Sequence, residues 1–70
     1  MAEEEKVIET LKKIVLDASK TITEREEVID ALSVFGEKAV PALAEIADKA
    51  DSIFLRERAI ARLKEIKKKK

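Results

Sequence analysis

The chain has 70 residues, with 15 Lys+Arg set against 15 Asp+Glu, so its formal net charge is zero and no global field draws it to nucleic acid or an anionic membrane. Apolar residues make up 46% and charged residues 43%, and Cys, His, Trp and Tyr are absent. This inventory excludes disulfide scaffolds, Cys/His zinc sites, haem ligation by His or Cys, and catalysis that needs a His base or Cys nucleophile. No apolar run approaches the roughly 18 residues of a membrane span, and no signal-peptide pattern precedes the first acidic cluster. The expected fold class is all-α, because Ala, Leu, Glu, Lys and Arg are the strong helix formers and one Gly with one Pro cannot punctuate a small β fold.

The first predicted helix runs over residues 3–18. Val7, Ile8, Leu11, Ile14, Val15 and Ala18 recur at three- and four-residue spacing and define its apolar face. Glu3, Glu4 and Glu5 open it, where the macrodipole favours negative charge. Ser19 to Thr23 breaks the pattern and reads as a loop. Thr23 and Glu26 then fit a capping box, which starts a second helix over 24–35 that buries Val28, Ile29, Ala31, Leu32 and Phe35. Gly36 follows the last periodic residue, where a left-handed cap needs no β-carbon.

A third helix is expected over 38–50, with Pro41 in its first turn and Ala39, Val40, Leu43, Ile46, Ala47 and Ala50 on its buried face. Asp51 or Ser52 caps a fourth helix over 53–67, whose stripe is Ala59, Ile60, Leu63 and Ile66. Lys64 and Lys67 to Lys70 gather at its end, complementing the dipole. The short connections imply two helical hairpins folded on one another within one domain spanning residues 1–70.

The chain also matches itself. At an offset of 31, Ile22, Arg25, Glu26, Ile29 and Leu32 fall on Ile53, Arg56, Glu57, Ile60 and Leu63. At 32, Leu11, Ile14 and Ala18 fall on Leu43, Ile46 and Ala50. The unit is helix, short loop, helix, used twice.

The stretch from Leu32 to Leu43, in which a helix ends at Gly36 and Ala39-Val40-Pro41-Ala42-Leu43 opens its partner, resembles the turn of a HEAT-like repeat. Asp51, Arg56, Ala59, Leu63 and Ile66 resemble the first helix of the next repeat, so the likeness covers about residues 24–66. The resemblance implies a stack of helical hairpins that acts as a protein-binding scaffold and not as an enzyme. The family's Asp and Arg ladder is matched where Asp51 precedes Arg56, whereas Arg25 has only Asp17 and Ser19 nearby.

No catalytic, cofactor-binding or metal-ligating residue is expected. The acidic groups Glu3-Glu4-Glu5 and Glu24-Glu26-Glu27 lack the loop and sharp Gly turn that gather calcium ligands. The terminal Lys run has no interleaved aromatic to stack a base. Leu16, Val34 and Phe54 lie off the main stripes of their helices and form the candidate patch for a protein partner or a homodimer. High Lys and Glu with no Cys or His fit either a hyperthermophile protein or an engineered sequence, and the charged and capped helix ends match an engineered, thermostable scaffold without a dedicated ligand. The alternative is a natural HEAT-like interaction module or capping fragment, cytoplasmic in that case.

Overall fold

A computed structural model describes residues 2–68 and contains four α-helices: α1 (Ala2–Val15), α2 (Ile22–Ser33), α3 (Val40–Lys49) and α4 (Ile53–Lys68). No strand occurs among the described residues, so the fold is all-α and bundle-like. Lys69 and Lys70 of the terminal basic run lie outside the described residues.

The first connection ends α1 three residues earlier than apolar spacing predicts. The Asp17 carboxylate accepts the Ser19 backbone N–H at 3.0 Å and the Ser19 hydroxyl at 2.7 Å, offering the chain a turn in place of another helical bond. Ala18 is therefore exposed in the turn and does not extend the buried face. The capping box is also displaced from the expected Thr23 and Glu26. Thr21 Oγ1 accepts the Glu24 N–H at 3.1 Å, and Glu24 Oε1 accepts the Thr21 N–H at 3.2 Å. Both threonines have a Glu three residues on. Starting at Thr21 adds Ile22 and Thr23 to α2 and places Arg25 in its first turn, from which its side chain reaches back to α1.

The second helix ends at Ser33, two residues before the expected Phe35, and Gly36 then turns the chain at φ +64°, the left-handed conformation that disfavours a β-carbon. This glycine opens a 3-10 turn, Gly36–Ala39, that runs directly into α3, with Pro41 in the first turn of that helix. Before α4 the chain turns in three residues, and Ser52 Oγ accepts the Phe54 N–H at 3.2 Å as its cap. Asp51, the other predicted cap, instead turns its carboxylate to Arg25.

The interhelix bonds fix the topology. Asp30 on α2 meets Arg58 and Arg62 on α4, and Arg25, earlier on α2, meets Asp51 just before α4. Positions rise together, so α2 and α4 run parallel. Glu4 with Lys38 and Lys12 with Glu45 make the same argument for α1 and α3. Each hairpin is antiparallel within itself, and the second lies beside the first in the same orientation. The radius of gyration, 11.0 Å, is that of a close-packed chain of this length.

The core runs through both hairpins: Ile8, Val15, Ile29, Leu32, Leu43, Ile46, Leu55 and Ile66 are its large buried members. Ala39, Ala42, Ala50 and Ala59 are buried among them, and such small side chains let helices approach closely. Leu55, one turn before Ala59, is fully buried and extends the predicted α4 stripe. Besides Ala18, three predicted core positions turn outward: Val7, Ala31 and Ile60 are exposed. Each is apolar and in register with its helix, but no neighbour covers it.

Candidate functional site

The three residues expected to form an interaction patch do not come together. Leu16 falls just after α1 and packs partly buried against the core, because helical spacing no longer governs a residue beyond the last turn. Val34 and Phe54 are exposed, at 83% and 68%. Val34 lines an open groove with Arg62 and Ile66, whereas Phe54 lies twelve residues before Ile66, about 18 Å along the axis of α4. A single patch containing all three is ruled out by that geometry.

The groove beside Val34 has a volume of about 420 Å³ and is lined by Ser33, Val34, Gly36, Glu37, Arg62, Glu65 and Ile66. Its one cation is already engaged: Arg62 donates to Asp30 at 3.0 Å and to Glu65 at 2.9 Å. No group of three or more metal-ligating side chains occurs among the described residues, and no helix is long and apolar enough to cross a membrane.

The ionisable groups are organised as connectors between helices. Arg25 is 2% exposed, the one charged residue in the buried class among those described. Its Nε donates to the carbonyl of Val15, the last residue of α1, at 2.7 Å, and its Nη2 donates to Asp51. One side chain thus caps a helix end in its own hairpin and reaches into the neighbouring one. Arg56, its counterpart 31 residues later, donates Nε to the carbonyl of Ala50 at the end of α3, also at 2.7 Å. The same arginine closes both hairpins. Arg56 makes no ion pair among the described residues.

Asp30 accepts from Arg58 at 2.9 and 3.2 Å and from Arg62 at 3.0 Å. The Arg58 bond, with Arg62 behind it, holds the Asp30 carboxyl below its ordinary value of 3.8. Arg25 does the same to Asp51, and Lys12 lowers Glu45. Hydrogen bonds from Ser19 lower Asp17. A general acid at neutral pH needs a raised carboxyl pKa, and these four shifts run the other way. Three of them belong to structural ion pairs, and that of Asp17 belongs to the turn it makes with Ser19.

The repeat seen in the sequence has one structural consequence that spacing does not reveal. Corresponding residues of α2 and α4 occupy different surroundings. Ile29 and Leu32 are fully buried, whereas Ile60 is 41% exposed and Leu63 half-buried. Ile22 is 38% exposed against 63% for Ile53. The face that α2 turns toward the second hairpin is, on α4, the face left open at the end of the stack.

Comparison with known proteins finds no matching family model, no similar curated protein and no similar solved structure.

Proposed function

We propose that this chain is a non-catalytic, thermostable helical scaffold made of two HEAT-like stacked hairpins, working through helix surfaces and not through a pocket. The observation that carries this reading is the repeated arginine: Arg25 and Arg56, 31 residues apart, each donate Nε to the carbonyl at the end of the preceding helix at 2.7 Å. Two hairpins closed by the same device, stacked in parallel, are units of a repeat architecture. The composition and the charged, capped helix ends favour an engineered origin.

The test combines unfolding with ligand titration. Thermal unfolding followed by circular dichroism is expected to be one cooperative transition at high temperature. The amide NMR spectrum is expected to stay unchanged when divalent cations or nucleotides are added. A saturable set of shifted amides would show a dedicated ligand site and contradict the reading.

A second reading, an interaction module for a protein partner, is favoured by the open α4 face, where Ile53 and Ile60 remain 63% and 41% exposed.

A further inference from the structure

We infer that this chain associates head to tail with further copies of itself, the open face of α4 in one copy receiving the α2 side of the next. The inference rests on the stacked-repeat reading above and adds the identity of the partner.

The internal contact between hairpins supplies the pattern. In the first hairpin, Arg25, Ile29 and Leu32 are buried, with Arg25 reaching Asp51 of the second hairpin, and Ile22 at the start of the same face is 38% exposed. In the second, Ile53, Arg56 and Ile60 stand exposed at the same positions, and Leu63 is half-buried where it packs against the core. On α4 these four residues fall within about 80° of one another at 100° per residue, and Lys67 lies in the same sector. The surface is an apolar stripe with cations on it.

The surface that would cover it exists at the other end of the molecule. The second hairpin contacts α2 through Arg58 and Arg62. Their counterparts 31 residues earlier are Glu27 and Ala31, both exposed. These two line an open groove of about 340 Å³ together with Ile14, Lys20, Glu24 and Val28. Three of these residues are apolar, Ile14, Val28 and Ala31, and the other three set two carboxylates against one ammonium.

Charge matches across the proposed joint. The internal joint sets Asp30 of the covered helix against two arginines of the covering one. At the ends the signs are exchanged: Glu24 and Glu27 stand on the covering side, and Arg56, Lys64 and Lys67 on or beside the covered side. Arg25 also reaches Asp51 in the loop of the next hairpin. Arg56, in no ion pair among the described residues, would find Asp17 in the corresponding loop of the next copy. A second copy therefore offers apolar cover, carboxylates and an arginine partner in one approach. Such a contact is heterologous and does not close, so copies add in series.

The test is solution mass by sedimentation, with two exposed-face variants. Wild-type protein at low salt should show a mass rising above 7.9 kDa with concentration up to about 1 mM, the range of a weak, small interface. Ile60→Glu blocks the open α4 face and Ala31→Arg blocks the groove; each alone should remain monomeric. Mixed in equal amounts, they should give a species of twice the monomer mass, because each retains the face the other lacks. Added salt should weaken it. Should Ile60→Glu lose helical signal, Ile53→Glu replaces it at a more exposed site on the same face. A wild type that stays monomeric throughout overturns the proposal, as does a mixture that fails to associate. Loss of association in only one variant would indicate a symmetric contact and also overturn it. A monomer that still unfolds in one cooperative transition removes the self-association while leaving the scaffold reading intact.

Discussion

Arg25 shows how one residue can join sequence, helix end and hairpin contact. Its burial takes a guanidinium out of water, a cost offset only because its Nε meets the Val15 carbonyl and its Nη2 meets Asp51. Arg25→Ala strands that carbonyl, opens a void and cuts the link between hairpins. The expected loss is about 2–4 kcal/mol of unfolding free energy, read from urea denaturation. Arg56→Ala removes the equivalent bond from an exposed side chain and should cost less than about 1 kcal/mol. Equal losses would contradict the difference in surroundings. The repeat spacing made the two arginines a pair in the sequence. It could not assign them different burial, because that depends on which hairpin is last in the stack. It also associated Asp51 with Arg56, whereas the carboxylate crosses to Arg25.

At the level of elements, the four helices were legible because apolar spacing marks each one, and Gly36 and Pro41 mark the break between the second and the third. The connection between α1 and α2 was less so. Thr21 and Thr23 each have a Glu three residues later, and local grammar does not choose between them. In the structure the Asp17–Ser19 turn ends early enough for Thr21 to take the cap position, where it and Glu24 exchange hydrogen bonds. Thr21→Ala should therefore lower stability by about 1 kcal/mol, and Thr23→Ala by no more than a few tenths, in the same denaturation assay. The reverse order would return the cap to Thr23. The expected patch of Leu16, Val34 and Phe54 failed for a related reason. Angles around a helix say which side chains leave the stripe, but not where the helix stops or which neighbour lies opposite.

Across the whole molecule, stacking in parallel leaves two unlike ends, one with an open apolar and basic face and one with an acidic groove. That asymmetry follows from the order of the hairpins, and an up-and-down bundle of the same four helices would not have it. The parallel course of α2 and α4 is thus the central claim. The chain contains no cysteine, so Val34→Cys provides a single site for a nitroxide label at an exposed position. Paramagnetic broadening of backbone amides then reads which end of α4 lies beside the end of α2. The stacked arrangement predicts strong broadening around Arg62 to Ile66 and much less around Phe54; strong broadening at Phe54 with Ile66 spared would contradict it.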